Sequence, residues 1–331
     1  MANDFIKSQE EYQNLNNFWS CVHAWIVTVG HSSAQIQDPQ DYKLVNQFGS
    51  QGTNDGQFRG LNDVISTGDF VFVPDYENHR IQKFTTDGTF VKAWGTKGTE
   101  AGQLNKPHSM AFDSKGNLYV TDMKNYRIQK FDNNGTFLAM WGSQGTENGQ
   151  FLHPHGIGID SSDNVFVTDA ELLNVQKFTG DGKFITKWGS EGTGEAQFTW
   201  LESVDIDSKG DVYVVDMKND RIQKFTNDGK FLMQWGSQGD QDGQLVFPAG
   251  IAIDSDDNIY VTDQNNGRIQ KFTSDGTFLI KWGTDGSKVS QFSEPEGIHV
   301  DSNGMVYVAD TGNSRVQSFD LSNADSAIAI Q

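Results

Sequence analysis

Apolar residues in this chain come in short runs of five or six, separated by residues that favour turns. One stretch shows the whole pattern. His108-Ser109-Met110-Ala111-Phe112-Asp113 is followed by Lys115-Gly116-Asn117, then by Leu118-Tyr119-Val120-Thr121-Asp122 and a loop carrying Asn125. Arg127-Ile128-Gln129-Lys130-Phe131 leads through Asn133-Asn134-Gly135 to Phe137-Leu138-Ala139-Met140-Trp141. Runs this short, rich in β-branched and aromatic residues and bounded by Gly, Asn and Asp, predict strands. No stretch keeps a helical period. The four strands are designated a to d in order. Asn134-Gly135 and its counterparts Asp87-Gly88, Asp181-Gly182, Asp228-Gly229 and Asp275-Gly276 tolerate positive φ, which predicts a two-residue hairpin joining c to d.

The same unit recurs. Asp122 has counterparts at Asp75, Asp169, Asp216, Asp263 and Asp310, at a constant interval of 47 residues. A period of this size, with four antiparallel strands in each unit, predicts an all-β fold: a six-bladed β-propeller of four-stranded antiparallel blades. Residues 42–48 read as a strand d without its a, b and c, whereas residues 297–319 read as a, b and c without d. The N-terminal strand is therefore expected to complete the last blade and close the ring, which leaves no open sheet edge at the seam. The propeller is expected over 41–320, preceded by an N-terminal segment at 1–40 and followed by a tail at 321–331. In the N-terminal segment, the apolar run from Phe18 to Val29 is too short to span a bilayer. Ser32-Ser33-Ala34-Gln35 after it resembles the end of a degraded export signal. The expected location is extracellular or at the cell surface, and otherwise cytoplasmic.

Two repeated features have structural explanations. Trp94, Trp141, Trp188, Trp235 and Trp282 each end a strand d and precede a glycine. A large apolar residue there packs blade on blade, contributing on the order of 2–3 kcal/mol each. Asp75/Arg80, Asp122/Arg127, Asp216/Arg221, Asp263/Arg268 and Asp310/Arg315 flank the b–c loop, where a two-pronged guanidinium–carboxylate pair would clamp it. Blade three departs from the pattern, with Leu172 and Asn174 where the others carry asparagine and arginine.

Charge narrows the range of partners. The formal net charge is −19, and ten of the 25 basic residues lie on c strands. Little remains for tracking a phosphate backbone, so nucleic acid is not an expected partner. An acidic surface suits cationic partners or divalent ions. Cys21 is the sole cysteine, so no intrachain disulfide forms.

The string Asp122-x-x-Asn125-x-Arg127-Ile128-Gln129-Lys130-Phe131 follows Gly116-Asn117-Leu118-Tyr119-Val120-Thr121 and precedes Trp141-Gly142-x-x-Gly145. It resembles the NHL repeat, and the likeness extends over about 280 residues and all six blades. The resemblance implies a six-bladed propeller with a central channel, in a family that includes binding modules, sensors and a metal-dependent lyase. At the channel, the first positions of the a strands are Asn62, His108, His155, Glu202, Ala249 and Glu296. His108, His155, Glu202 and Glu296 are of metal-ligating or proton-moving type. Pro107-His108-Ser109-Met110 and Pro154-His155-Gly156-Ile157 resemble the zinc-histidine strings of the peptidyl-hydroxyglycine amidating lyases. In those enzymes the histidines come from alternate blades. By that rule His108 would pair with Glu202 and Glu296, and the lyase tyrosine two residues after the b-strand aspartate is absent.

A second candidate surface is apolar: Leu172, Leu173, Trp200, Met217 and Phe247 fall on adjoining blades of the same face. An exposed apolar patch marks a binding site. The first reading is thus a non-enzymatic binding propeller for a protein, peptide or glycan partner, requiring no cofactor and no integral membrane span. The alternative is a metal-dependent lyase, whose channel mouth holds a divalent metal such as zinc or calcium.

Overall fold

The computed structural model describes residues 42–321 and shows six four-stranded antiparallel sheets, each ordered a-b-c-d. In blade two the strands are Pro107–Phe112, Leu118–Asp122, Arg127–Phe131 and Phe137–Trp141. The a strands of neighbouring blades pack against one another around the axis. Lys43–Phe48 pairs antiparallel with Arg315–Asp320, so the N-terminal strand is the outer strand of blade six, as expected. The proposed export signal within 1–40 and most of the 321–331 tail lie outside the described residues. No helix of the described residues is long and apolar enough to cross a membrane.

The core lies between blades. In one cluster, Tyr119 and Ile128 of blade two meet Phe151, Ile157 and Phe178 of blade three. In another, Trp282 of blade five meets Phe292, Ile298 and Phe319 of blade six. The recurrent tryptophans pack between blades as expected: the partner of Trp94, Trp141, Trp188 and Trp235 is the c–d turn of the next blade, and that of Trp282 is Tyr42. A Cβ on Gly135 would lie 2.4 Å from the Trp94 ring, and one on Gly229 would lie 2.5 Å from Trp188. Glycine is required at these turns twice over, by space and by a φ near +80° to +89°.

Two local expectations need correction. The c–d connection has three residues, not two. Gly135 N–H donates to the Asp132 carbonyl and Asp132 N–H to the Thr136 carbonyl, with a register shift after Lys130. A type I turn followed by a left-handed glycine gives this geometry, so only the glycine takes positive φ. The arginine clamp is also not two-pronged. Arg127 Nε donates to Asp122 Oδ2 at 2.7 Å, while Nη1 and Nη2 donate to the carbonyls of Thr99, Glu100 and Gln103. The guanidinium thus ties the b–c loop to the d–a loop beside it, and the Nε contact recurs at 2.6–2.8 Å in blades one, two, four, five and six. In blade three, Asp169 instead accepts four backbone N–H groups, those of Leu152, His153, Glu171 and Leu172.

Candidate functional site

The channel mouth brings three of the four proposed residues together. One ligand atom from each of His108, His155 and Glu202 lies within 4.8 Å of the others, and all three side chains are buried. His155 Nδ1 is 3.0 Å from Glu202 Oε1, His108 Nε2 is 3.7 Å from the same oxygen, and the two imidazoles stack at 4.1 Å. Glycine allows this approach: a Cβ on Gly156 would lie 2.7 Å from the backbone of Glu202 and Ser203. Blade three therefore sits against blade four closely enough for His155 and Glu202 to meet.

The contributors are consecutive blades, two to four, and not the alternate blades that the family resemblance implied. Glu296 is absent from the cluster because blade five intervenes with only Ala249 at the corresponding position. It lines the same cavity across the channel, and its Oε2 is enclosed without a hydrogen-bond partner. That cavity encloses about 20 Å³, room for one water or ion and not for an organic substrate.

Protonation separates these groups. Burial, then the charge of His155, lowers the His108 pKa to about 3 against the pull of Glu202, so its imidazole is neutral near pH 7. Burial pushes Glu202 upward, but contacts with His155, His108 and Trp200 outweigh it and hold the carboxylate below its ordinary range. Glu296 lies well above that range, through burial and then the charges of Glu202, Glu294 and Asp63. The two carboxylates are thus pushed in opposite directions, the arrangement from which acid and base roles divide. Two imidazoles and a carboxylate form a donor set suited to zinc, and His108 Nδ1 is a buried nitrogen with no hydrogen-bond partner. The residues fit a divalent metal.

Other groups here were not singled out from sequence. His153, in the d–a loop, stacks on His155 at 4.5 Å, and burial and then His155 lower its pKa. Tyr76 sets its ring edgewise to His108 at 6.0 Å. The signal for both lay in comparing the blades at those positions. The residue before each a strand is Gly60, Lys106, His153, Trp200, Phe247 or Glu294, and the residue after each b-strand aspartate is Tyr76, Met123, Ala170, Met217, Gln264 or Thr311.

The apolar patch is only partly exposed. Met217 is 5% exposed, and Leu173 packs against the core between blades three and four. Leu172, Trp200 and Phe247 are half-buried, because the b–c and d–a loops fold over the ends of the sheets. The exposed large apolar residues are instead mostly single side chains on outer d strands, such as Val91, Leu138, Ile185 and Leu232. Scattered exposure of that kind is ordinary.

Deeper in the channel, Asp63 accepts hydrogen bonds from Ser109 Oγ and Met110 N–H, and Asp205 from the N–H groups of Ile206 and Ile253. Each carboxylate joins its blade to the next. Burial raises each pKa from 3.8 to about 7 despite these donors. Between about pH 4 and pH 7 the folded state holds more protons at these sites than the unfolded chain does. Stability therefore falls as pH rises through that window, by roughly 2–4 kcal/mol per group. Asp205→Ala is expected to remove about half of this slope in denaturant melts between pH 5 and pH 8. An unchanged slope would mean that Asp205 is ionised throughout.

The NHL repeat model matches residues 104–131, 245–272 and 292–319, which carry strands a to c of blades two, five and six. A family described as 6-bladed beta-propeller matches residues 160–236. No curated protein sequence matches the chain. Among solved structures, a streptogramin B lyase superposes with a TM-score of 0.60 at 17% identity, covering 85% of this chain and 98% of that one. A gluconolactonase from Xanthomonas campestris superposes at 0.59 and 12% identity, over 81% and 88% of the two chains. An auxiliary nutrient binding protein from Bacteroides thetaiotaomicron VPI-5482 does so at 0.59 and 14%, over 80% and 69%. At such identities the likeness is one of fold. With repeat matches on three blades and the same four-stranded unit in all six, this chain is a six-bladed β-propeller that carries NHL repeats.

Proposed function

We propose that the protein is a metal-dependent enzyme of lyase or hydrolase type, with its site at the channel mouth. The observation that carries this reading is the convergence of His108, His155 and Glu202 within 4.8 Å. These three residues would hold a divalent transition metal, zinc being the best match to their chemistry. When bound, such a metal polarises a carbonyl or lowers the pKa of a water. His108 enters as a neutral imidazole and needs no deprotonation to act as a ligand. Glu202 would supply the negative charge, and Glu296, its pKa raised on the same cavity, would donate a proton to a leaving group. The enclosed space admits only a small group, so the body of a substrate would rest above the mouth.

Two of the structurally similar proteins are a lyase and a gluconolactonase, which agrees with this reading without specifying a substrate. Recognition of a protein, peptide or glycan is the competing role, and burial of Met217 narrows the apolar patch that favoured it. The test is elemental analysis of protein purified without chelator, followed by zinc and cobalt titration against a competing chelator. About one metal per chain is expected. Protein that takes up neither ion would sink the proposal.

A further inference from the structure

We propose that Trp200 is a positioning residue of the channel-mouth site, whose indole N–H holds Glu202 so that a single carboxylate oxygen faces the two histidines. The inference rests on reading that site as a metal centre. Trp200 Nε1 donates to Glu202 Oε2 at 2.7 Å, while Oε1 faces His155 at 3.0 Å and His108 at 3.7 Å. The five recurrent tryptophans leave their buried Nε1–H groups without a partner, so among the described residues Trp200 alone spends its N–H on a side chain.

The backbone supports a dedicated placement. The residue before strand a is left-handed at Lys106, Phe247 and Glu294 and has positive φ at Gly60, but not at His153 or Trp200. In blades two, five and six the b–c loop donates to the carbonyl one position earlier: those of Asn105, Val246 and Ser293. In blades three and four, Ala170 N–H and Met217 N–H donate to the carbonyls of His153 and Trp200 themselves. Blades three and four, whose residue before strand a lacks positive φ, are the ones that set that residue's own ring against His155. Trp200 meets His155 at 5.6 Å and His153 at 5.7 Å, both edge to face, and Lys218 Nζ lies 4.4 Å over its ring. Held on these sides, the indole cannot swing away from Glu202.

A carboxylate with one oxygen occupied by a fixed donor offers the other to a metal. Trp200 thereby favours one-oxygen ligation and leaves a coordination position open for water or substrate. Trp200→Phe keeps a ring in place and deletes only the donor. Zinc affinity, measured by chelator competition, is expected to fall roughly tenfold in this variant, and the visible absorption bands of the cobalt-substituted protein to shift. In the metal-free protein, the Trp200 indole N–H resonance is expected to move on Glu202→Gln. Wild-type affinity and an unshifted cobalt spectrum in Trp200→Phe would overturn the positioning role alone. Wild-type protein that binds no zinc would overturn the metal site and this role together. If Trp200→Phe does not fold, the metal-free spectrum decides, because an indole signal indifferent to Glu202→Gln overturns the tether.

Discussion

His155→Ala is expected to lower zinc affinity by at least about a hundredfold, beyond what loss of an outer-shell partner costs. His155 is the residue that the other site groups touch: it stacks on His108 at 4.1 Å, on His153 at 4.5 Å, and lies 3.0 Å from Glu202. Removing it deletes a ligand and strips the buried Glu202 of its imidazole partner. His153→Ala is the control, since that ring lies against the site but outside the group of convergent ligand atoms. Isothermal titration with zinc compares the two variants, with a thermal melt to confirm folding. Equal affinity in wild type and His155→Ala would place any bound metal elsewhere.

The second large effect concerns stability. Asp122→Ala is expected to destabilise the propeller by about 3–5 kcal/mol, because it orphans a buried cation. Asp122 is fully buried and accepts from Asn105 N–H at 2.6 Å, Asn125 Nδ2 at 2.8 Å, Arg127 Nε at 2.7 Å and Gln129 Nε2 at 2.9 Å. Its loss leaves the Arg127 guanidinium, 7% exposed, with carbonyl partners but no counter-charge. Asp169→Ala in blade three removes the corresponding carboxylate where no arginine depends on it. The expected cost there is about 1–3 kcal/mol, that of unsatisfied backbone donors. Urea melts of the two variants test the difference, and an equal or larger loss for Asp169→Ala would mean that the arginine contributes little.

Burial of Met217 shows how local sequence misleads at the ends of blades. Apolar residues in loops read as exposed because turns are ordinarily on the surface. In this ring each b–c loop is held against the d–a loop that precedes it, so a residue's burial depends on a neighbour 17 to 28 positions away, as the contacts from Asp122 to Asn105 and from Arg127 to Thr99 show. The arginine pairing was legible as a contact between residues five apart, but its two forward nitrogens were not, since their acceptors belong to the preceding loop.

The amino-acid sequence by itself determined the ring. Strand length, turn residues and a 47-residue period specify six blades, the partner of 42–48, and the six positions in register at the start of the a strands. All of these follow from local propensity and repetition, which act within one unit and are copied in the next. Which of the six channel residues work together was decided only in three dimensions. His108, His155 and Glu202 converge because Gly156 lets two a strands approach and Trp200 turns one carboxylate toward the histidines. Glu296 has the same chemistry and the same register, yet it stands apart from the cluster. Distances across the axis depend on how closely blades pack, and the imidazole and indole partners of Glu202 set these two buried carboxylates apart.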